Sequence, residues 1–351
     1  RFVSQDAGAR IMTAGDDTAG LAPDDTAGLA PDDTAGLAPD DTSGIARRIA
    51  ETIPASLEGV RIDRVVSLIA DISRSAAADL IQSGGVSVDG AVVIAGKEKM
   101  TAGQSIVIDV AQVKGPERPA ADASRQLDVV HSDEDVIVIN KDAGLVVHPG
   151  AGNQSGTLVN YLLAAYPEIA EVGDPMRPGL VHRLDAGTTG LIVVARTQEA
   201  YSSLVVQLAS RSVTRVYSAL VWGVPISLNG VIDAPIGRDQ RDPTRMAVVV
   251  DGRASRTHYA VERSFHEPKD AALVECRLET GRTHQIRVHL ASIGHPVVGD
   301  ATYGGVRAGL KAGRPMLHAK ELAFDHPTSG QRSTYTAPMP PDFAALVTSL
   351  S

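Results

Sequence analysis

The chain of 351 residues contains one cysteine, few aromatic residues and no long apolar run. A single cysteine, Cys276, excludes an internal disulfide and a cysteine-based zinc site, and it indicates a reduced, cytoplasmic setting. No stretch of about 18 apolar residues and no secretory signal pattern is present, so we expect neither a membrane-spanning nor an exported protein. Aromatic residues make up 3%, so aromatic platforms that stack single-stranded nucleic acid cannot be numerous.

The chain also lacks a surplus of positive charge, since its formal net charge is −9. Residues 1–44 hold nine aspartates and two arginines, a balance of −7, which leaves 31 basic and 33 acidic side chains in the other 307 residues. A body with a balance of −2 can still carry a local basic groove. The overall charge therefore does not exclude an RNA partner.

An octapeptide repeat occupies residues 16–46, where D-D-T-A-G-L-A-P occurs three times and is followed by D-D-T-S-G-I-A. Each unit offers one large apolar side chain beside Gly and Pro, which cannot form a core or a stable helix. The pattern lacks the Gly-rich nonapeptide of calcium-binding repeats. We therefore predict a disordered acidic tail over residues 1–56, with a short helix over 45–53 before Pro54.

The chain beyond residue 56 is long enough for two folded units. Residues 57–112 predict two short helices, over 61–69 and 73–81, and strands near 86–90 and 105–109. Four basic side chains could contact RNA phosphates if they share one face: Arg61, Arg64, Arg74 and Lys97. The alternative is a small folded spacer with solvated charges.

Residues 113–125 are rich in Pro, Ala and charge, which is typical of a linker. The larger unit is then expected over 126–351. The patterns there predict strands and helices over these ranges: 135–140, 157–165, 198–208, 214–223, 232–237, 246–250 and 272–278. Period-two alternation places Tyr217, Ala219 and Val221 on one strand face. A loop with Arg238, Arg241 and Arg245 either contacts RNA phosphates or is solvated.

A final helix is predicted to begin with Thr283 as its N-cap and to end at Gly294. It carries His284 and His289, which could suggest zinc. The two histidines are five residues apart, so they do not share a helix face, and neither Glu nor Cys completes a ligand set. We expect no metal at this position.

The stretch over 179–191, G-L-V-H-R-L-D-A-G-T-T-G-L, places Asp185 in a loop between two apolar segments. One interpretation from local rules is that Asp185 is simply a turn residue that bonds its own backbone. They also allow a functional carboxylate, because loops held by rigid elements often carry chemistry.

Four strings resemble motifs of the RluA-type pseudouridine synthases and follow one another in the order found in that family. They are N-K-D-A-G-L-V-V-H-P at 140–149, H-R-L-D-A-G-T-T-G-L at 182–191, R-V-Y-S-A-L-V-W-G at 215–223 and G-R-T-H-Q-I-R-V-H-L at 281–290. The closing L-H-A at 317–319 and H-P at 326–327 fit the same family, and residues 57–112 resemble an S4 RNA-binding domain. The resemblance implies an α+β fold, in which a catalytic domain with a mixed, largely antiparallel sheet comes after a small S4-like α/β domain.

The resemblance also implies the reaction, which is isomerisation of specific uridines in RNA to pseudouridine after base flipping. The expected partner is 23S ribosomal RNA or the large ribosomal subunit, and the enzyme is expected to be a cytoplasmic monomer that needs no cofactor or metal. Asp185 is implied as the catalytic carboxylate, Arg287 as its partner and Tyr217 as the residue beneath the base. Further substrate-binding residues are predicted: His182, Arg183, Leu184, Thr189, Arg282, Thr283 and Gln285. Of these, Arg183 is implied to fill the space that the flipped base leaves.

Two other functions remain open on the residues alone. One is a non-catalytic RNA-binding or ribosome-assembly protein. The other is a glycoside hydrolase with two carboxylates, Asp185 together with Glu275 or Glu279. The second has no use for Arg183 or for the S4-like unit.

Overall fold

A computed structural model describes residues 10–12, 48–72, 74–112, 118–150, 153–242 and 244–351. These form two compact units, one within residues 20–118 and one comprising Pro119–Ser351 with residues 10–12. The octapeptide repeat lies outside the described residues. No helix within the described ranges is long and apolar enough to cross a membrane.

The smaller unit packs two helices on a four-stranded antiparallel sheet. After β1 (Arg10–Met12), which belongs to the larger unit, its elements are β2 (Arg48–Thr52), α1 (Ile62–Ala70), α2 (Arg74–Gln82), β3 (Val86–Val88), β4 (Ala91–Val92) and β5 (Ser105–Asp109). The strand order is β2-β5-β3-β4. Helical spacing buries Ile62, Val65 and Val66 of α1 against Leu80 and Ile81 of α2.

The predicted helix over 45–53 is wrong, because Arg48–Thr52 forms the strand β2. Each residue of β2 pairs with one of β5, from Arg48 opposite Asp109 to Thr52 opposite Ser105. A short segment follows its tertiary partner rather than its own pattern. Since β1 and β2 both fall within residues 1–56, that range is not wholly a disordered tail.

The larger unit is built on one mixed sheet. Its remaining strands are β6 (Val129–Ser132), β7 (Val136–Lys141), β8 (Thr189–Ala195), β9 (Thr214–Trp222), β10 (Asn229–Asp233), β11 (Ile236–Arg238), β12 (Met246–Val248), β13 (Arg256–Phe265), β14 (Ala271–Leu278), β15 (Leu317–Asp325) and β16 (Arg332–Thr336). Its helices are α3 (Leu158–Ala165), α4 (Gln198–Ala209), α5 (Gln285–Ser292) and α6 (Pro341–Thr348).

The sheet order is β1-β10-β13-β14-β9-β15-β8-β7-β6, with β16 beside β15 and with β11 and β12 as a separate pair. All neighbours are antiparallel except β15 and β8, which run parallel. The prediction of a mixed, largely antiparallel sheet is therefore confirmed. The strand β15, although late in sequence, lies near the centre and joins β9 to β8.

Both faces of the sheet are covered, as the alternation in β9 requires. Tyr217, Ala219 and Val221 lie in one core cluster, which also contains residues of α3 and α5. Leu220 and Trp222 lie in another cluster, which α6 covers. The prediction that the first three share a face is confirmed.

The end of the predicted linker packs on the larger unit. The backbone N–H of Asp122 donates to the Asn160 carbonyl over 2.9 Å, and the Asn160 amide donates to the Ala120 carbonyl over 2.7 Å. Asn160 also forms a capping box with Thr157 at the start of α3. The larger unit therefore begins before residue 126.

Helix α5 begins one residue later than predicted, because its N-cap is His284 rather than Thr283. The side-chain amide of Gln285 holds the preceding turn. Its Oε1 accepts from the Arg282 N–H at 3.0 Å and from the Thr280 hydroxyl at 2.8 Å. With this turn fixed, His284 takes a left-handed conformation with φ of 57°.

Candidate active site

A cavity of about 350 Å³ opens where three distant parts of the chain meet. Residues 146–148, residues 183–187, His284, Arg287, Thr302 and Pro315 line it. The loop with Asp185 precedes β8, whereas Arg287 lies on α5. Because the sheet brings these elements together, residues a hundred positions apart share one site.

The Asp185 loop is fixed from below by Lys141, the last residue of β7. Its ammonium donates to three backbone carbonyls, those of Asp142 (2.8 Å), Leu145 (2.9 Å) and Ala186 (3.1 Å). The side chain is almost fully buried, with the residue 1% exposed. Burial lowers the pKa of Lys141 to about 7, against the opposing pull of the Asp185 carboxylate.

Asp185 forms an ion pair with Arg287 at the cavity. Its Oδ2 lies 3.0 Å from Arg287 Nη1. The same guanidinium binds Asp300 through two bonds, Nε to Oδ2 at 2.6 Å and Nη2 to Oδ1 at 2.9 Å. Asp300 is fully buried, and its Oδ1 also accepts the backbone N–H of Thr302 at 2.9 Å. Arg287 is thus held rigidly by one carboxylate while it presents a nitrogen to the other.

The carboxylates of this cluster hold Arg287 in its cationic form. Burial alone would lower the pKa of Arg287, but its bonds to Asp300 and the charge of Asp185 raise that pKa above its usual value. The guanidinium is therefore a permanent positive charge. Asp185 keeps its second oxygen, Oδ1, free of any bond to Arg287.

Tyr217 lies close enough to Asp185 for the carboxylate to affect its pKa. Burial raises the pKa of Tyr217 to about 12, and the charge of Asp185 adds to that effect. Arg215, on the same strand face, opposes it, and the Nε of this buried arginine has no partner among the residues that the structure describes. Tyr217 is a buried neutral phenol, and it does not line the cavity with the other described residues.

Of the predicted substrate-binding residues, Arg183 and Leu184 line the cavity, and Arg183 is exposed. His182 is turned inward, where its Nε2 accepts the Val193 N–H at 3.1 Å, and burial lowers its pKa to about 3. Thr189 is buried, with its Oγ1 2.9 Å from Nδ1 of His318. The side chains of His182 and Thr189 therefore serve the framework of the loop.

The other three predicted residues lie away from the cavity lining. Gln285 is buried and bonded within the turn before α5, where its amide nitrogen donates to Thr257 Oγ1 at 2.9 Å. Arg282 donates to the Ala254 carbonyl at 3.3 Å. Thr283 is half-buried. In this arrangement, none of the three side chains reaches the space beside Asp185.

Four residues of the site were not predicted from the sequence, and they are Lys141, His284, Asp300 and Tyr303. Lys141 lies in a string that carries a family resemblance without a role for the lysine, and His284 suggests only a zinc ligand by its residue type. Asp300 and Tyr303 lie in a short Gly-flanked turn, G-D-A-T-Y-G at 299–304, whose polar residues were the available signal.

Neither carboxylate of the glycoside hydrolase alternative faces the cavity. Glu275 pairs with Lys320 and Arg277, and Glu279 pairs with Arg211 and with a histidine. Asp185 is the one carboxylate residue among the described residues that line the cavity. The arrangement therefore offers a single reacting carboxylate rather than two.

The two histidines that could suggest zinc, His284 and His289, lie in different surroundings, because only His284 lines the cavity. His289 is buried, with its ring nitrogens 2.9 Å from Thr257 Oγ1 and 2.9 Å from the Ala234 carbonyl. Over the part of the chain that the structure describes, no group of three or more His, Cys, Asp or Glu side chains is arranged to hold a metal ion.

Comparison with known proteins gives a consistent result. The family model described as RNA pseudouridylate synthase matches residues 135–292. The chain is 44% identical over 317 residues to ribosomal large subunit pseudouridine synthase D of Pseudomonas aeruginosa, which covers 87% of this chain and 96% of that protein. It is 43% identical over 294 residues to an uncharacterized RNA pseudouridine synthase of Bacillus subtilis, covering 83% and 94% of the two chains. The solved structure of human RNA pseudouridylate synthase domain containing 1 is similar with a TM-score of 0.52 at 29% identity, covering 64% of this chain and 88% of that one.

Proposed function

Since this chain belongs to the RNA pseudouridylate synthase family, we propose that it converts uridines of large-subunit ribosomal RNA to pseudouridine with Asp185 as the reacting carboxylate. The observation that carries this proposal is the ion pair at the cavity. Arg287 holds one oxygen of Asp185 at 3.0 Å and leaves the other oxygen available. The ribosomal substrate is taken from the relatives named for the large subunit.

The reaction needs little beyond such a carboxylate. The N1–C1′ bond of uridine breaks, the uracil turns, and C5 bonds to C1′, while the proton on C5 is lost and N1 gains one. Atoms and oxidation state are conserved, so no external reactant enters. The carboxylate of Asp185 serves either as a nucleophile or as a base in this sequence. Arg287 supports both roles because it stabilises the anion.

The cavity must receive a base that is removed from its stack. A volume of about 350 Å³ is in the range of small ligand sites. Extrusion of the uridine leaves a gap in the RNA, and the exposed guanidinium of Arg183 at the cavity is placed to occupy it. Tyr217 does not line the cavity but packs in the same core cluster as the lining residue Leu184, where burial keeps its phenol neutral.

The smaller unit binds RNA through its basic side chains in this proposal. Arg61 and Arg74 both contact Asp63, whose N–H donates to the carbonyl of the residue before Lys97. Lys97 and Arg64 are exposed as well. This arrangement supports a shared basic surface that would contact phosphates. The monomeric state and the cytoplasmic location are proposed with it, whereas the smaller unit begins before residue 57, because β2 (Arg48–Thr52) belongs to its sheet.

The test is the variant Asp185→Asn, assayed by tritium release from ribosomal RNA labelled at uracil C5. The amide keeps the size of the side chain but cannot act as a nucleophile or base, so kcat should fall at least about 100-fold. RNA affinity and the unfolding free energy should change little. Asp325→Asn, at an exposed pair with Arg332, is the matched control and should turn over like the wild type.

Wild-type turnover by Asp185→Asn would refute the role of Asp185. A wild-type protein that binds ribosomal RNA but releases no tritium would instead favour the alternative of a non-catalytic RNA-binding protein.

A further inference from the structure

His284 lies beside Asp185 at the cavity, near the carboxylate oxygen that Arg287 does not bind. Its Nε2 lies 3.9 Å from Asp185 Oδ1, the oxygen that Arg287 does not bind. His284 lines the cavity and keeps 23% of its side chain exposed. A polar ring nitrogen thus stands beside the oxygen that is free to react.

Tyr303 fixes the orientation of this imidazole. The Tyr303 hydroxyl lies 2.8 Å from His284 Nδ1, and it accepts the backbone N–H of Met246 at 3.1 Å. Since that hydroxyl already accepts one hydrogen bond, its own hydrogen is available for Nδ1. The proton of the neutral imidazole then sits on Nε2 and points toward the cavity.

Two arginines form cation–π contacts with the Tyr303 ring and help to hold it in place. The guanidinium carbons of Arg287 and Arg245 lie 5.1 Å and 5.3 Å from the ring centroid. The rings of His284 and Tyr303 meet edge to face at 77°. Arg245 is therefore part of this support rather than a freely solvated loop residue.

The backbone of His284 is in a sparsely populated region. Its φ of 57° is left-handed, which is uncommon for residues other than glycine, although asparagine, aspartate and histidine adopt it more often than the rest. Such conformations persist where the surrounding structure enforces them, and they cluster at functional sites. Here the left-handed turn is what brings the ring over the cavity at the start of α5.

We propose that His284 is a further catalytic residue, whose Nε2–H donates a hydrogen bond to the O2 oxygen of uracil as the N1–C1′ bond breaks. Tyr303 is the positioning residue that holds this donor. The inference rests on the proposed function. When the bond to C1′ breaks, the uracil carries the bonding electrons, and negative charge spreads from N1 onto its carbonyl oxygens. A preorganised donor at such an oxygen stabilises the transition state.

Burial is the main reason that the imidazole is neutral. Burial lowers the pKa of His284, Arg287 and Arg183 lower it further, and Asp185 and Asp300 oppose them, with a net lowering. A neutral ring donates from Nε2 without forming a permanent ion pair with Asp185. The carboxylate therefore stays free to react.

The experiment compares His284→Asn with His284→Gln by kcat and KM for tritium release from labelled ribosomal RNA. Asparagine tolerates the left-handed backbone, and its short side chain can contact Tyr303 but places no donor at the position of Nε2. Because the donor to uracil is lost, kcat should fall about 100-fold. KM should change little, because the contact strengthens in the transition state. Glutamine extends its amide to the position of Nε2, so the kcat of His284→Gln should be roughly tenfold higher than that of His284→Asn.

Two further variants make the result decisive. Tyr303→Phe keeps the aromatic ring beside Arg287 and Arg245 and removes only the hydroxyl, and it should lower kcat roughly tenfold at unchanged KM. His258→Asn, a partly exposed histidine paired with Glu279 outside the cavity, is the matched control and should behave as the wild type.

Wild-type kcat in His284→Asn, a loss confined to KM, or no gain from glutamine over asparagine would overturn the inference. Should His284→Asn fail to fold, Tyr303→Phe provides the test. An unchanged kcat in that variant would show that a donor held by Tyr303 does not contribute to catalysis. Absence of tritium release by the wild type would refute the proposed function, whereas wild-type turnover with an unaffected His284→Asn refutes only this inference.

Discussion

Each unit contains an ion cluster of three residues, and the two clusters use the same residue types in opposite proportions. In the larger unit, Arg287 binds Asp185 and Asp300, two carboxylates and one guanidinium. In the smaller unit, Asp63 binds Arg61 and Arg74, one carboxylate and two guanidiniums. The first cluster therefore carries an excess negative charge, and the second an excess positive charge.

Burial decides what each excess charge can do. The Arg287 side chain is 8% exposed and that of Asp300 is 0% exposed, so the remaining negative charge is confined to Asp185 at the cavity. The Arg61 and Arg74 side chains are 44% and 61% exposed, so their excess charge faces solvent. A confined anion suits reaction at a single atom, whereas an exposed cation suits loose contact with phosphates.

The largest effect is expected from Arg287→Lys, which disrupts the ion cluster of the larger unit and leaves that of the smaller unit intact. A lysine cannot make the bidentate contact with Asp300 and still reach Asp185. We expect kcat to fall at least about 100-fold and the unfolding free energy to fall by about 3 kcal/mol. Urea unfolding and tritium release measure the two effects.

Arg277→Lys is the control for that variant, because Arg277 forms an exposed pair with Glu275. It should alter stability by less than about 0.5 kcal/mol. Near-normal turnover by Arg287→Lys would show that the buried cluster does not confine the reacting charge.

A smaller effect is expected from Lys141→Met, which removes the support of the Asp185 loop from below. Methionine fills the buried space but leaves the carbonyls of Asp142, Leu145 and Ala186 without their donor. The loop should become less well fixed, and kcat should fall roughly tenfold with little change in KM. Lys311→Met, at an exposed position, is the control.

The same variant tests a pH dependence. The pKa of Lys141 is about 7 in the folded protein and 10.5 when unperturbed. Between these values the unfolded chain binds the proton more strongly, so this lysine makes the unfolding free energy rise with pH, by about 1.4 kcal/mol per unit. The difference between wild type and Lys141→Met in urea unfolding should therefore change in favour of the wild type from pH 7 to about 9. An equal dependence in both proteins would contradict the lowered pKa.

The smallest effect is expected in the smaller unit, from Arg74→Ala. Asp63 retains its closer partner Arg61, so stability should be unaffected, and RNA affinity should fall roughly threefold. The slope of log affinity against log salt should decrease by about 0.7 to 1. Gln82→Ala, an exposed neutral change on the same helix, should alter neither quantity. An unchanged slope of log affinity against log salt in Arg74→Ala would show that this cluster does not contact RNA.

The parts of the site that the sequence predicted are those carried by continuous strings. Asp185 and Arg287 lie in two such strings, and the structure places them 3.0 Å apart. The alternation around Tyr217 likewise located one face of a central strand, because a period of two is a local property. The catalytic roles of these residues remain predictions.

The features that the sequence could not supply depend on contacts between distant segments. The pattern at 45–53 also suits a helix, and only pairing with Ser105–Asp109 makes it a strand. Likewise, no residue next to His284 in the chain indicates its bond to Tyr303, which joins the start of α5 to the turn at 299–304. Both contacts are set by the tertiary fold, which local patterns do not encode.

The position of β15 has a consequence for how the protein is made. This strand joins β9 to β8, yet it is formed by residues 317–325 of 351. Without β15, the paired strands β8-β7-β6, of which β8 follows the Asp185 loop, and the paired strands β1-β10-β13-β14-β9 share no strand pairing among the described residues. Such long-range pairing is slow. We therefore expect the contact between Asp185 and Arg287 to form late in folding, after nearly the whole chain has been synthesised.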